Sequence, residues 1–275
     1  MTARTNGSKI LTVASGKGGV GKTNITANLA ITLSNRGERV LVFDADMGLA
    51  NMDVLLGLTP RFSMRHVLNA SRSLDEILIP GPCGITIVPA SSGFAEMANL
   101  SMQSYTTLVQ ALQRLASRYD RVLIDAPAGI GTNAIRFSTF ADELVVVTTP
   151  EPTSITDAYA LVKVALREKP GLPIHLIVNM AETSSEARRV AEAFSEITTR
   201  FLGSSVTSAG GLPYDHSIPQ AVRCQQPFVT MYPDSCASNA VRCISHRLNR
   251  DAGATVRSNA PVVEATNRIT SWLDA

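Results

Sequence analysis

The sequence feature that most constrains the fold is a glycine-rich loop near the amino end. Residues 16–23 have the sequence GKGGVGKT; an apolar run at residues 10–13 precedes them, and a helical pattern begins at Thr23. This spacing matches G-x-x-x-x-G-K-[ST], in which glycines let the backbone curl and present its N–H groups to phosphate oxygens. The amino end of the following helix adds partial positive charge. A strand, this loop and a helix in that order predict a phosphate-binding site.

Apolar runs and helical stretches alternate through the chain. Helices are predicted to begin near Thr23, Gln103, Thr132, Ser154 and Ser184, and six short apolar runs predict strands at residues 10–13, 40–43, 85–88, 122–124, 144–147 and 174–178. Uninterrupted apolar runs are typical of parallel sheets covered by helices on both faces. The sustained β-α order, with no linker inside it, predicts an α/β fold: a doubly wound, mostly parallel sheet flanked by helices, forming one domain over residues 1–250.

The last 25 residues have a different pattern. Residues 251–260 are polar and lack periodicity, which indicates a tether, and residues 261–275 favour a short amphipathic helix. One face of that helix would carry Val262, Ala265, Ile269, Trp272 and Leu273. Its charged residues are Arg268, Glu264 and Asp274, whereas membrane-surface helices usually have a basic polar face. Packing against the domain and weak peripheral membrane contact are therefore both open interpretations.

The charge balance does not indicate a nucleic-acid partner. The chain of 275 residues contains 25 Lys and Arg against 23 Asp and Glu, a net charge of +2, and 45% of its residues are hydrophobic. The hydrophobic fraction is ample for a core, while the global field is too weak to predict nucleic-acid binding. An anionic ligand must therefore be held by local groups.

The cysteines favour neither a disulfide framework nor a metal cluster. No C-x-x-C pair occurs among the four cysteines, which are Cys83, Cys224, Cys236 and Cys243. We therefore expect free, buried thiols rather than an iron–sulfur or zinc site.

The amino end has no apolar segment of signal-peptide length, and no run of about 18 apolar residues occurs. These patterns predict a cytoplasmic protein.

Three aspartates lie at the carboxyl ends of predicted strands. Asp44 and Asp46 follow the run at residues 40–43, and Asp125 follows the run at residues 122–124. The carboxyl ends of parallel strands form the rim where α/β sheets bind ligands. Mg²⁺ keeps several waters and takes few direct carboxylates, so Asp125 is expected to hold a magnesium-bound water. In the loop, we expect Lys22 to reach the β- and γ-phosphates and Thr23 to ligate magnesium.

Lys17 is an additional lysine inside the loop, and spacing alone does not distinguish a functional role from a solvated surface charge. The segment KGGVGKT resembles the deviant Walker A motif of the ParA/MinD ATPases, and the resemblance extends over residues 9–250. It implies that Lys17 reaches across a two-fold dimer interface to the nucleotide of the partner subunit. The D-x-D-x-G segment at Asp44 resembles switch I of that family, and D-x-P-A-G-I from Asp125 is similar to switch II. In switch I, the resemblance implies that Asp46 orients the attacking water and that Asp44 supports magnesium through its waters.

The same resemblance implies contacts to the base and the ribose. Asn179 matches an adenine-contacting Asn, Pro213 and Asp215 match a loop that packs on the base, and Glu151 matches a Glu that touches ribose across the dimer. The resemblance assigns catalytic roles to Asp46, Lys17 and Lys22, and magnesium contacts to Thr23, Asp44 and Asp125, the aspartates through water. The expected nucleotide-binding residues are Gly16, Lys17, Gly18, Gly19, Val20, Gly21, Lys22, Thr23, Asn24, Glu151, Asn179, Pro213 and Asp215.

Within that family, the segments DADMGLANMDVLLGL, PEPTSITDAYALVK and VNMAETSSEARRVAEAF look most like the FlhG/FleN group of MinD-like ATPases, which limit the number of polar flagella. This resemblance implies a homodimer that forms on ATP, uses ATP/ADP and Mg²⁺, and hydrolyses ATP to reset. The implied partners are an FlhF-type GTPase, a flagellar switch or C-ring protein, or a flagellar transcription activator. It also implies peripheral contact with the inner face of the membrane or the cell pole. Residues 1–8 lack the DQAxxLR motif of many members.

Other functions are open at this point. The chain is also compatible with a binding-only antagonist of a flagellar transcription activator, or with a MinD-type ATPase that positions cell division. A ParA-type DNA segregation factor would need a basic dimer face, yet residues 223–275 contain six basic and four acidic residues, so direct DNA binding is not expected. The loop motif alone also fits a small-molecule kinase, although no acceptor site is evident.

Overall fold

One twisted sheet runs through the described part of the chain. The computed structural model describes residues 8–46, 51–90 and 100–250. Within those ranges the sheet contains eight strands, in the order β3-β4-β2-β5-β1-β6-β7-β8. They are β1 (Lys9–Ala14), β2 (Val40–Asp44), β3 (Ile79–Pro80), β4 (Thr86–Val88), β5 (Arg121–Asp125), β6 (Glu143–Thr148), β7 (Ile174–Ala181) and β8 (Thr207–Pro213). All neighbouring pairs are parallel except β3 with β4.

Helices cover both faces of this sheet. The described residues form α1 (Lys22–Ser34), α2 (Met52–Leu55), α3 (Met64–Leu68), α4 (Met102–Ala116), α5 (Thr132–Phe140), α6 (Pro152–Glu168), α7 (Ser184–Leu202), α8 (Ser217–Arg223), α9 (Phe228–Met231) and α10 (Cys236–Arg250). None of the helices in the described part of the chain has the length and apolar character needed to cross a membrane.

The predicted fold class is confirmed. Each of the six predicted apolar runs lies on a strand, and the five predicted helices begin within two residues of the amino ends of α1, α4, α5, α6 and α7. The prediction missed the strands β3 and β8 and the helices α2, α3, α8, α9 and α10. The sequence of β8, TSAGGLP, has no apolar run, and α10 has polar or charged residues over most of its length.

Two hydrophobic layers hold the helices against the sheet, one on each face. The first layer contains Phe43, Phe137 and Phe194, and the second contains residues of α1 and α10 such as Leu29 and Ile244. The ring of Phe137 meets those of Phe43 and Tyr105 edge to face, with centroids 5.6 and 5.5 Å apart. These aromatic contacts, at separations favourable for ring pairs, fix α4 and α5 over the first face.

The sheet register brings the predicted carboxylates together. Strand β1 lies between β5 and β6, and β2 lies on the other side of β5. Asp44 pairs in register with Asp125, and Val13 pairs with Asp125 from the opposite side. The loop that leaves β1 therefore lies beside both aspartates, at the carboxyl ends of the strands, where α/β sheets bind ligands.

The four cysteines are free, but the expectation that they are buried is wrong. All four are exposed. Cys83 lies in a 3-10 turn at Pro82–Gly84, Cys224 directly follows α8, and Cys236 and Cys243 lie on α10. These positions are at turns, at a helix end, or on a helix face turned away from the core, so the apolar character of the thiol is not used in packing.

Residues 251–275 lie outside the described residues, and the tether and the amphipathic helix remain predictions.

Candidate functional site: a phosphate loop with two strand-end carboxylates

The loop between β1 and α1 depends on glycine at two positions. Gly21 has φ +87°, and a Cβ there would lie 2.4 Å from Nδ2 of Asn179. A Cβ on Gly16 would lie 2.1 Å from the carbonyl oxygen of Asp157 in α6. Only glycine combines the left-handed conformation at residue 21 with such close packing at both positions. The loop therefore turns tightly against β7 and α6 and leads directly into the amino end of α1.

Asp125 is the centre of a buried polar cluster under this loop. The Lys22 ammonium donates to Oδ1 of Asp125 at 2.7 Å, and the Thr23 hydroxyl donates to Oδ2 at 2.6 Å. Thr26, one turn further along α1, donates to Oδ1 at 3.2 Å. Asp125 and Lys22 are both buried. Charge-assisted hydrogen bonds of this kind fix the lysine and threonine at the foot of the loop.

Asp44 lies next to Asp125 on the neighbouring strand and is also buried. Its carboxylate accepts hydrogen bonds from the N–H groups of Asp46 at 3.0 Å and Met52 at 3.3 Å. Burial raises the pKa of Asp44 well above its usual range, and the charge of Asp125 raises it further, while both hydrogen bonds and the Lys22 charge oppose the rise. The molecule therefore holds two adjacent buried carboxyl groups that a bound cation would favour in the charged form.

The donor atoms at this position fit Mg²⁺. Thr23, Asp44 and Asp125 offer only hydroxyl and carboxylate oxygens, which are the ligands of a hard cation. Among the described residues, no cluster of three or more His, Cys, Asp or Glu side chains forms a cage for a metal. Magnesium in nucleotide sites uses one or two carboxylates together with phosphate oxygens and water, so the two aspartates and one threonine match that pattern.

Asp46 lies at the edge of the described segment that follows β2. It is half-buried, and its N–H donates to Asp44. Residues 47–50 lie outside the described residues. The position is two residues beyond Asp44 on the ligand-binding rim, and the water-orienting role of Asp46 remains a prediction.

Lys17 and Glu151 contact each other on the exposed side of the loop. The Lys17 ammonium lies 3.1 Å from Oε2 of Glu151 and 3.3 Å from the hydroxyl of Thr153. Both charged side chains are largely solvent-exposed, at 42% and 66%. Glu151 directly precedes α6, so the loop lysine is bound at the amino end of that helix. The two residues that the resemblance assigns to contacts across a dimer interface are thus neighbours on one surface of a single chain.

A small cavity lies beside the end of the loop. It has a volume of about 100 Å³, and Asn24, Asn179, Pro213 and Asp215 all line it. The side chain of Asn179 is buried and donates through Nδ2 to the carbonyl oxygen of Val20 at 2.8 Å. Four residues from separate parts of the sequence that were expected to contact the nucleotide therefore meet at one cavity.

Asp215 also has a local structural role. Its carboxylate accepts hydrogen bonds from the N–H of Ser217 at 2.9 Å and of Ala237 at 3.1 Å, at the first turns of α8 and α10. Burial alone would raise the pKa of Asp215, but the hydrogen bonds from Ser217 and Ala237 and the nearby His216 outweigh it and lower the pKa. The carboxylate thus ties α8, which lines the cavity, to α10.

Sequence reasoning missed several residues around the site. Thr26 contacts Asp125, Thr153 contacts Lys17, and Met180, Tyr214 and Ile218 line the cavity. A helical repeat would have indicated Thr26, because it lies one turn after Lys22 and faces the same side. The exposed Tyr214 and Met180 carry no motif, and only the folded chain brings them to the cavity.

A glycine-rich loop at the end of the first strand, with its lysine and threonine bound to a strand-end aspartate, defines the class of P-loop NTPases. The family model described as ParA, NUBPL iron-transfer P-loop NTPase, matches residues 6–249. The chain belongs to the ParA family of P-loop NTPases and, within it, to the MinD-like ATPases of the FlhG/FleN type.

Individual relatives support this placement. The chain is 39% identical to the antiactivator FleN of Pseudomonas aeruginosa over 88% of its own length and 86% of the relative. It is 37% identical to the flagellum site-determining protein YlxH of Helicobacter pylori, over 71% of the chain and 66% of the relative. The structure of the septum site-determining protein MinD of Pyrococcus horikoshii in complex with Mg-ADP has a TM-score of 0.76 to this fold, with 26% identity, covering 90% of this chain and 98% of that chain.

Proposed function

We propose that this protein is an ATP-switched homodimer that regulates the number or placement of flagella and the expression of flagellar genes. In this proposal ATP closes two subunits face to face, the closed dimer contacts its partners, and hydrolysis returns the protein to single chains. The single observation that carries the proposal is the position of Lys17 on the exposed side of the phosphate loop.

The directions of the two loop lysines support separate roles. Lys22 is buried against Asp125 under the loop, where it would meet the phosphates of its own subunit. Lys17 is on the opposite, solvent-facing side, beside Glu151. A lysine supplied from a second subunit to the developing phosphate charge makes hydrolysis depend on dimerisation, as arginine fingers do in other NTPases.

The remaining residues have roles that follow from their positions. Magnesium, when bound with ATP, would supply positive charge that neutralises the phosphates. Thr23, Asp44 and Asp125 would hold it, the aspartates through water. Asp46, on the same rim, would orient the attacking water, and Asn179, Pro213 and Asp215 would contact the base at the cavity.

The flagellar role rests on the relatives. The most similar relatives described above are an antiactivator and a flagellum site-determining protein. Candidate partners for this chain are therefore an FlhF-type GTPase, a switch or C-ring protein, and a flagellar transcription activator. Weak peripheral membrane contact through residues 261–275 belongs to the same proposal, as does a cytoplasmic location.

The cellular test uses the natural host and counts flagella by electron microscopy. We expect deletion of the gene to change the number of flagella per cell and the wild-type gene to restore it. The Lys17→Ala variant, expressed at the same level, should fail to restore it, whereas Arg189→Ala, an exposed substitution on α7, should succeed. An unchanged flagellar number after deletion would contradict the flagellar role.

A MinD-type role in positioning cell division is the second candidate, because the fold matches MinD of Pyrococcus horikoshii with a TM-score of 0.76. The same deletion strain distinguishes the two. Minicells or misplaced septa with a normal flagellar number would favour division control, and normal septa with altered flagella would favour the flagellar role.

A further inference from the structure

A groove lies away from the phosphate loop, at the β8 edge of the sheet. It has a volume of about 660 Å³, and Ser208, Gly210, Gly211 and Leu212 of β8 line its floor. Strand β8 is the last strand of the sheet, and no described segment pairs with its outer side. Its backbone N–H and C=O groups on that side are therefore available to another extended chain.

Helices from opposite layers form the two walls. α7 belongs to the first hydrophobic layer through Ala187, Ala191 and Phe194, and α10 belongs to the second through Val241 and Ile244. Because the two helices pack on opposite faces of the sheet, the space between them opens directly onto the sheet edge. The wall residues include the small side chains of Ser184, Ala187, Cys236, Ala240 and Cys243.

Two glycines let α7 and α10 approach the backbone of β8 closely. A Cβ on Gly210 would lie 2.9 Å from Nη1 of Arg247, and a Cβ on Gly211 would lie 2.4 Å from the Cβ of Ala187. The register of β8 with β7 also shifts here, because Ser208 pairs with Leu176 while Gly210 pairs with Ile177. A bulge of this kind and missing side chains bring the backbone of β8 within reach of a neighbouring chain.

Arg247 covers one backbone group of this edge. Its Nη1 donates to the carbonyl oxygen of Ala209, the residue skipped in the register, at 3.2 Å. The carbonyl oxygen of Ala209 therefore contacts α10 through Arg247. An added strand that donates an N–H to this carbonyl would release the guanidinium, and a carboxylate on that strand would then accept from it.

The charges of the groove favour an acidic occupant. Its charged lining residues are Arg188, Arg247 and Glu182. Arg188 lies on the α7 wall and Arg247 on the α10 wall, so each wall carries one arginine. A bidentate arginine–carboxylate contact at each wall would fix the register of a peptide that the backbone of β8 binds without regard to sequence.

We propose that this groove binds an extended acidic peptide segment of a protein partner, which adds to β8 as a ninth strand between α7 and α10. Backbone hydrogen bonds to β8 provide the affinity, and carboxylates facing Arg188 and Arg247 provide the selectivity. β8 is seven residues long, so it can pair with a segment of similar length. The inference does not depend on ATP-driven dimerisation, because the groove is formed by one chain.

The experiment measures fluorescence anisotropy of labelled seven-residue peptides with the full chain in reducing buffer. The probe is Val-Glu-Val-Glu-Val-Glu-Val, compared with the same peptide carrying Lys for Glu and with one that is N-methylated at alternate residues. We expect the acidic peptide to bind, and the lysine and N-methylated peptides to bind at least tenfold more weakly.

Two matched pairs of variants locate the site. The Arg188→Glu, Arg247→Glu double variant should lose at least tenfold in affinity for the acidic probe, whereas Arg189→Glu, exposed on the same helix but outside the groove, should stay within about twofold. Cys243→Trp, which places a large ring in the groove, should also abolish binding, and His246→Trp, at an exposed residue of α10 that does not line the groove, should not. Circular dichroism melts identify variants that do not fold.

Several results would overturn the proposal. These are no binding of the acidic probe, equal binding of the N-methylated peptide, or equal loss in the Arg189→Glu and groove variants. Binding of a thymidine oligonucleotide that the groove variants abolish, without binding of the peptide, would instead assign the groove to nucleic acid. None of these readouts uses ATP turnover, so they remain separate from any failure of the proposed switch.

Discussion

Lys17 and Glu151 form an ion pair across 134 positions of sequence, with the ammonium 3.1 Å from the carboxylate. Under the proposed function both residues contact nucleotide bound to a second subunit. Dimerisation must then separate them from each other. Since exposed ion pairs contribute at most about 1 kcal/mol, this contact is weak enough for ATP binding in a dimer to replace it.

The Lys17→Ala variant should separate nucleotide binding from cooperative turnover. We expect its affinity for ADP to stay within about threefold of wild type, because Lys17 lies on the exposed side of the loop beside Glu151, whereas Lys22 is buried. Turnover per chain should fall and lose its dependence on protein concentration. The matched Lys22→Ala variant should lose ADP affinity directly, because Lys22 lies under the loop. Calorimetry with ADP and phosphate-release assays check both, and equal loss of ADP affinity would mean that Lys17 is a local phosphate ligand.

Asp46→Ala should stop hydrolysis while ATP still binds. Loss of a water-orienting carboxylate is expected to lower turnover by about a hundredfold or more. ATP affinity should change little, because Asp46 is at the rim rather than under the phosphates. A single-turnover assay with radiolabelled ATP measures this step, and wild-type turnover would show that another group orients the water.

The Asn179→Ala variant should weaken nucleotide binding through the loop. The buried Nδ2 donates to the Val20 carbonyl, and removing it leaves a buried acceptor unsatisfied at a cost of about 1–3 kcal/mol. We expect roughly a tenfold loss of ADP affinity, equivalent to about 1.4 kcal/mol. Asn35→Ala, at the exposed far end of α1, provides the control and should bind ADP normally. Unchanged ADP affinity in both variants would contradict the role of the cavity.

Asp44 should make the stability of the nucleotide-free protein depend on pH. Burial and the charge of Asp125 raise the pKa of Asp44 to about 8. When the pKa of an acid is higher in the folded protein than in the unfolded chain, ionisation of the acid destabilises the fold. Its contribution to the free energy of unfolding is therefore fully present below the unfolded-state pKa and is lost as the pH rises to the folded-state pKa. The free energy of unfolding should therefore fall between about pH 4 and about pH 8 in wild type.

Melting curves without nucleotide or magnesium check this dependence. The stability of Asp44→Asn relative to wild type should improve as pH rises across that window, because the amide cannot ionise. The exposed Asp234→Asn variant should follow the wild-type curve. Parallel curves for wild type and Asp44→Asn would show that Asp44 does not titrate in this range.

Phe137 should be a main contributor to stability. It is fully buried and meets Phe43 and Tyr105 edge to face. Phe137→Ala should lower the free energy of unfolding by about 3–5 kcal/mol. Phe201→Ala, at a residue that is 53% exposed, should change it by less than about 0.5 kcal/mol. Urea denaturation measures both, and a similar small loss in each would place the core elsewhere.

The phosphate loop and the adjacent carboxylates were predictable because local rules determine them. The glycine spacing at residues 16–23 fixes a strand-loop-helix unit, and aspartates that end parallel strands meet at one edge. Asp44 and Asp125 are therefore neighbours, as strand-end placement predicts. The apolar runs also predicted six strands, since strands buried on both faces need uninterrupted apolar residues.

Other features depend on contacts that the sequence pattern does not contain. β8 lies at the sheet edge and has glycines instead of apolar residues, so it matched no strand pattern. The thiols were expected to be buried, but burial depends on which side of a helix or turn faces the core, and Cys236 and Cys243 lie on the exposed side of α10. The pairing of Lys17 with Glu151 follows from α6 starting beside the loop, which only the folded chain shows.

The most direct test of the account is the mass of the Asp46→Ala variant in solution, measured by light scattering with Mg-ATP and with Mg-ADP. We expect a dimer with ATP and a single chain with ADP, and we expect the added Lys17→Ala substitution to abolish the ATP dimer while ATP still binds. A single chain in both nucleotides, or a dimer that forms without Lys17, would contradict the central claim that Lys17 joins two subunits through ATP.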